Sequence, residues 1–332
     1  MDAVITLDHG SGGVKTAQLI DGMIVPAFDN PALRALGDGA ILPGADGLVF
    51  STDSFVIDPI FFPGGDIGKL SVCGTVNDVS MCGGTAKYLS CSFIIEEGLA
   101  LSALERIIAS IRATADAAGV AVVTGDTKVV ERGRGDGIYI NTAGIGVLKY
   151  PGLSPQAIRP GDKVLLSGAA GDHGAAVMLA RGGMAEGAIS SDCAPLGGLC
   201  EAILSTGAQV RVLRDPTRGG VATTLNEFVE GRSLGIEIDE ACIPVHDAVR
   251  AACELLGLDP LYCANEGKLL AVAAAEDAPR ILDAMRAHPL GREAAIIGEV
   301  SEAYPGRVVM TTAFGGRRVL QKLTGAQLPR IC

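Results

Sequence analysis

The chain ends in Pro329-Arg330-Ile331-Cys332, placing a thiol on the last residue. With no chain beyond it, such a thiol can enter and leave a pocket at little steric cost. Residues 319–332 would span roughly 45–50 Å if fully extended, enough to cross a domain. The cysteine's own α-carboxylate opposes thiolate formation and Arg330 favours it. A frayed terminus carrying an incidental cysteine is the plainer reading of the tail alone. The other polar clusters must therefore decide.

Three aspartates stand near expected element ends. Asp53 lies in Ser51-Thr52-Asp53-Ser54 at the close of a strand. Asn77 and Asp78 sit in a helix, where a buried polar pair costs stability unless it binds something. Asp126 and Lys128 end a strand in Val123-Thr124-Gly125-Asp126-Thr127-Lys128. Asp53, Asp78 and Asp126 are hard oxygen ligands that suit Mg2+ shared with substrate phosphates. Lys69 closes Gly64-Gly65-Asp66-Ile67-Gly68-Lys69, which looks like a phosphate-binding P-loop but fails its spacing. Only three residues separate Gly64 from Gly68, and Leu70 stands where a hydroxyl is needed. A nucleotide site of another type remains open. Arg218, Gly219 and Gly220 precede a helix, and a guanidinium with glycine N–H groups at a helix start favours phosphate. Glu266 opens a strand in Asn265-Glu266-Gly267-Lys268, either as a site carboxylate or as an ordinary turn residue. His9-Gly10-Ser11-Gly12-Gly13 offers backbone N–H groups to an anion. His173, in Gly171-Asp172-His173-Gly174, reads as part of a turn and N-cap.

Strands and helices must carry these residues. Hydrophobic spacing predicts strands at 47–52, 88–95, 120–123 and 137–148 in the first half. It predicts helices at 65–81, with Ile67, Leu70, Cys73, Val76 and Val79 on one face, and at 102–118. Ser102 and Glu105 would form a capping box there, and Gly119 a stop. Residues 150–162 hold three prolines and mark a boundary. Beyond it, strands at 163–167, 235–238, 269–274, 295–300 and 307–311 interleave with helices at 174–180, 195–205, 219–230, 245–256 and 278–287. This is an α/β pattern.

A chain of 332 residues suits two domains of ordinary size. The net charge of −11 and the absence of a basic run argue against nucleic acid as a partner. No apolar run approaches the ~20 residues of a membrane span, and the N-terminus does not read as a signal peptide. Nine cysteines without a CxxC pair fit a reducing cytoplasm better than a zinc or iron–sulfur site.

Taken in order, residues 9–13 (HGSGG), 51–55 (STDSF), 61–70 (FFPGGDIGKL), 73–78 (CGTVND), 123–130 (VTGDTKVV), 214–220 (RDPTRGG), 265–270 (NEGKLL) and 329–332 (PRIC) resemble the HypE family of hydrogenase maturation factors. That family belongs to the superfamily of aminoimidazole ribonucleotide synthetase and selenophosphate synthetase. The terminal PRIC is the most specific of these segments. The resemblance implies a two-domain α/β (α+β) fold whose N-terminal domains pair into a β-barrel homodimer. The expected division is 1–150 for ATP binding and dimerisation, 151–313 for a C-terminal α/β domain, and 314–332 for a flexible tail. ATP and Mg2+ are the implied cofactors, with Asp53, Lys69, Asn77, Asp78, Asp126, Arg218 and Gly219 expected around the nucleotide. The implied reaction dehydrates an S-carbamoyl group on Cys332 to an S-cyanate, with Glu266 as base and Lys128 steadying charge. HypF would load the carbamoyl group and the HypC–HypD complex would accept the cyanide. A non-catalytic carrier of a modified Cys332 is the alternative. Selenophosphate synthetase is disfavoured because its N-terminal glycine-rich loop would carry a reactive cysteine or selenocysteine, and residues 9–13 have none.

Overall fold

A computed structural model of the chain describes residues 13–24, 39–42, 47–184, 189–325, 328 and 330–332. Most of the glycine-rich loop at 9–13 lies outside them. Gly13 caps the short helix α1 (Val14–Leu19).

The first half forms one five-stranded sheet, in the order β1 (Ala40–Leu42), β2 (Leu48–Phe55), β7 (Ile138–Leu148), β5 (Gly84–Glu96), β6 (Ala121–Val130). Helices α2 (Ile67–Met81) and α3 (Leu101–Ala118) cover one face. A small hairpin, β3 (Phe61–Phe62) and β4 (Gly65–Asp66), leads into α2. The Asp66 carboxylate caps that helix, accepting from the N–H groups of Gly68 at 2.7 Å and Lys69 at 3.1 Å.

The expected apolar face of α2 is fully buried, but so are Ser71, Thr75 and Asn77. The helix is central, packed between the sheet, α3 and a segment from the second half, so that only Lys69 and Asp78 are partly exposed. Helix α3 starts at Leu101 after Ala100, with no side-chain cap, so the Ser102–Glu105 capping box does not form. Gly119 ends the helix as expected, in the left-handed region at φ 68°. Strand β6 runs to Val130 rather than stopping at 123, which places Asp126 and Lys128 within an edge strand.

The opposite face of this sheet is apolar and open. Phe50 pairs with Ile145, Leu48 with Val147, and Tyr88 with Ile145, and all five side chains are exposed.

The second half contains a seven-stranded mixed sheet, in the order β14 (Arg317–Leu320), β13 (Val308–Thr311), β10 (Gly235–Asp239), β12 (Ala295–Ser301), β8 (Lys163–Leu166), β11 (Leu270–Ala273), β9 (Val210–Arg214). Its helices are α4 (Asp172–Arg181), α5 (Gly197–Leu204), α6 (Gly220–Val229), α7 (Asp247–Leu256) and α8 (Ala278–Ala287). Strands β9 and β14 were not among the expected elements. Strand β14 pairs antiparallel with β13, so the flexible tail expected from 314 begins instead as part of the sheet. Each of its ladder bonds satisfies a backbone group that a free tail would leave to water.

The two halves interlock through the segment 191–196. The Ser191 N–H donates to the Pro63 carbonyl at 2.8 Å. Asn77 donates to the Ala194 carbonyl at 3.2 Å and accepts from the Leu196 N–H at 2.7 Å.

Helix α2 approaches the sheet closely over glycines. A Cβ on Gly146 would stand 2.5 Å from Val79 and 2.8 Å from the Thr85 carbonyl. Gly146→Ala is expected to destabilise the chain by about 1–3 kcal/mol through overpacking, read as a lower denaturant midpoint.

Candidate active site

A cavity of about 260 Å3 opens between the two halves. The end of β2 contributes Asp53 and α2 contributes Asp78, while the second half supplies Arg214, Asp215, Arg218 and Glu266. Cys332 closes one wall. The Ser51 hydroxyl donates to Asp78 at 2.5 Å and orients that carboxylate.

Glu266 is the most unusual group here. It is 2% exposed, and its Oε1 has no hydrogen-bond partner among the described residues. Its backbone is clamped. Its N–H donates to Asp192 Oδ1 at 3.0 Å, and its carbonyl accepts from the Ala194 N–H at 3.2 Å. Lys268 reaches the other Asp192 oxygen at 3.3 Å. A Cβ on Gly267 would fall 1.8 Å from the Asp192 carbonyl, so only glycine fits after Glu266. Burial, with further repulsion from Cys193, Asp215, Asp192 and Asp53, pushes the Glu266 carboxyl well above the usual glutamate range.

Arg218 lies among these acids, with Arg214 a second cation of the cavity lining. Cys332, Asp53, Glu266 and Asp78 all act to hold Arg218 protonated against burial. It is presented by a turn in which Gly219 and Gly220 both take positive φ, 81° and 60°. A Cβ on Gly220 would meet the Cys263 and Leu261 carbonyls at 2.5 Å. The turn opens α6 beside the cavity, which Thr217 and Thr224 also line. Burial raises Asp53 against the pull of Arg218, and raises Asp215 to about 6.

Burial also pushes the Cys332 thiol up to about 12, with Arg218 opposing the shift and Glu266, Asp53 and Asp215 adding to it. The cation facing this thiol is therefore Arg218. Arg330, expected from its place in the sequence, instead pairs with Asp136 at 3.1 Å.

The remaining expected residues fall elsewhere. Lys69 donates to the Gly64 carbonyl at 2.9 Å and does not line the cavity. Asn77 is occupied in joining the two halves. Asp126 and Lys128 pair with one another at 3.1 Å on edge strand β6, with side chains 63% and 69% exposed. The expected trio of Asp53, Asp78 and Asp126 is thus not assembled within one chain. No group of three or more metal-binding side chains occurs among the described residues. Asp53 and Asp78 remain as cavity carboxylates that suit a hard cation also held by phosphates.

Asp215, Asp192 and His173 were not singled out as site residues in the sequence. Asp215 was signalled, inside the Arg-Asp-Pro-Thr-Arg-Gly-Gly run, whereas Asp192 stands in no motif.

Residues 36–148 match the AIR synthase related protein N-terminal domain, and residues 159–310 the corresponding C-terminal domain. The carbamoyl dehydratase HypE of Cupriavidus necator is 54% identical over 332 residues, covering 99% of this chain and 95% of that protein. The chain belongs to the HypE family. A crystal structure of hydrogenase maturation protein HypE in complex with ATP is 48% identical, with a TM-score of 0.84 over 99% of this chain and all of that one. HypE in a crystallised HypE–HypF complex is 47% identical, with a TM-score of 0.86 over 92% and 99%. The two-domain α/β architecture expected from the motifs is thus that of the HypE family. Among the described residues no helix is long and apolar enough to cross a membrane.

An ordinary glutamate titrates near 4.5, and the folded chain raises Glu266 above that value. The folded state therefore holds this proton more tightly than the unfolded state. The resulting stability is fully present below pH 4.5 and is lost as pH rises through the folded value. Glu266→Gln is expected to remove that loss, making the variant more stable at pH 8 by about 1–3 kcal/mol. Melting temperatures measured between pH 4 and 8 should diverge with rising pH.

Proposed function

We propose that this chain uses ATP to dehydrate an S-carbamoyl group on its own Cys332 to an S-cyanate, supplying cyanide for hydrogenase assembly. The observation that carries the reading is the convergence on one cavity of Cys332 and a buried glutamate, one of whose carboxylate oxygens has no partner among the described residues. Membership of a family that includes carbamoyl dehydratase HypE, and likeness to a HypE structure holding ATP, support it.

The carbamoyl oxygen is a poor leaving group until phosphorylated. It attacks the γ-phosphorus of ATP, ADP departs, the first of the two nitrogen protons is lost to solvent, and an O-phosphorylated imidate (S–C(=NH)–OPO3) remains on sulfur. Loss of phosphate from carbon, together with a nitrogen proton, then forms C≡N. Glu266, ionised before the step, receives that proton; burial raises its affinity for protons, which favours the transfer. Arg218 and the turn at Gly219 hold phosphate at the start of α6. Asp53 and Asp78 would hold Mg2+, which when bound neutralises phosphate charge. Burial keeps water from the activated intermediate.

A homodimer completes this arrangement. The open apolar face around Phe50, Tyr88 and Ile145 is the surface a second copy would cover. The exposed edge strand carrying Asp126 and Lys128 would then serve a site built with the partner subunit. HypF is the proposed carbamoyl donor, in keeping with the HypE–HypF complex, and a HypC–HypD scaffold the proposed cyanide acceptor.

The direct test is the intact mass of the C-terminal peptide after supplying carbamoyl phosphate, HypF and Mg·ATP. A carbamoyl adduct on Cys332 should lose one water only when ATP is present. An adduct that persists with ATP would favour a carrier without catalysis. Glu266→Gln should still accept the carbamoyl group but slow water loss by roughly 10²–10⁴-fold. Phe50→Lys with Ile145→Lys should leave a folded chain whose mass by light scattering is that of a monomer.

A further inference from the structure

We propose that His173 is a positioning residue that latches the C-terminal segment into the cavity, so that breaking this latch releases Cys332 to solvent. This rests on the reading of Cys332 as the site of reaction. His173 Nε2 lies 2.8 Å from the Ile331 carbonyl, one residue before the thiol. A carbonyl only accepts, so Nε2 carries the ring proton and Nδ1 presents a lone pair. The Ser191 hydroxyl stands 2.8 Å from Nδ1 and donates to it. The Ser191 oxygen in turn accepts from the Cys193 N–H at 3.1 Å. Every donor and acceptor in this relay has one role, and it runs from the 191–196 segment to the tail. The ring is fully buried, edge-on to Phe62 with centroids 5.4 Å apart. Burial lowers its basicity, in keeping with a single ring proton.

The neighbouring contacts act the same way. The Arg181 guanidinium donates to the Arg330 carbonyl and to the Asp58 carbonyl, each at 2.7 Å. The Asp58 N–H reaches the Arg330 carbonyl at 3.3 Å and the Val56 N–H a main-chain carboxylate oxygen of Cys332 at 3.4 Å. Ile331 is buried in the apolar cluster that includes Val177, Cys193 and Ala264. His173 differs from these in depth. When the tail leaves, its Nε2–H loses its acceptor inside the fold, which holds the docked state together.

A latch makes a prediction that a merely structural histidine does not: two reactions of the same sulfur move in opposite directions. In the full-length chain, iodoacetamide labelling of Cys332 reports the undocked state, and ATP-dependent water loss from the HypF-loaded adduct reports the docked one. The exposed Cys242 serves as the labelling control. His173→Ala should speed labelling of the C-terminal peptide about five- to tenfold and slow water loss by a similar factor. His173→Gln, whose amide N–H can reach the same carbonyl, should restore both. Arg181→Ala, on a less buried contact, should shift both rates in the same directions as His173→Ala. Unchanged labelling in both alanine variants, or labelling and water loss falling together, would overturn the latch. Faster labelling in a chain whose unaltered form never loses water would keep the latch and reject the dehydration chemistry.

Discussion

The contact between Gly267 and Asp192 is the constraint on which the site depends. A backbone with no room for a Cβ lies against a carbonyl, and both Asp192 oxygens are engaged, one by the Glu266 N–H and the other by Lys268. That fixes the residue before Gly267 in the interior. The same short segment, 191–196, bonds Pro63 and Asn77 of the first half and, through Ser191, His173. One stretch of irregular chain thereby sets the relation of the two halves, the burial of Glu266 and the seat of the tail. Its buried backbone groups are satisfied by these partners, which is what permits a segment without regular structure at this depth.

The electrostatics of the cavity follow from that packing. Several acids and a thiol share one region with Arg218, and burial raises Asp53, Asp215, Glu266 and Cys332 together. Such a site resists having all its acids ionised at once, and a cation or a phosphate held by Arg218 changes the balance. A docked Cys332 is a protonated and therefore poor nucleophile. On the reaction proposed above, loading of the sulfur would be chemically easier with the tail out, and protection of a loaded sulfur easier with it in.

The first sheet shows the opposite economy. Its inner face is filled by α2 so closely that glycine is required opposite Val79, while its outer face shows Phe50, Tyr88 and Ile145 to solvent. Asp126 and Lys128 belong to that outer, edge region rather than to the cavity of their own chain.

Much of this was legible in the sequence, because local chemistry repeats wherever it is needed. The apolar spacing of residues 67–79 marked α2, Gly119 marked the end of α3, and alternating strands and helices marked the α/β class. Asp53, Asp78, Arg218, Glu266 and Cys332, each conspicuous in the sequence, line one cavity. Other features were beyond its reach. Asn77 looked like a ligand and is a clamp, since its partners lie more than a hundred residues away. Arg330 looked like the cation for the thiol, yet the chain turns there at φ 54° and sends the guanidinium to Asp136. His173 looked like a turn residue because nothing nearby in the chain announces Ser191 or Ile331 as its partners. Residue type and spacing determined which groups can do chemistry. Only the tertiary fold decided which of them meet, because hydrogen bonds and desolvation are set by neighbours in space.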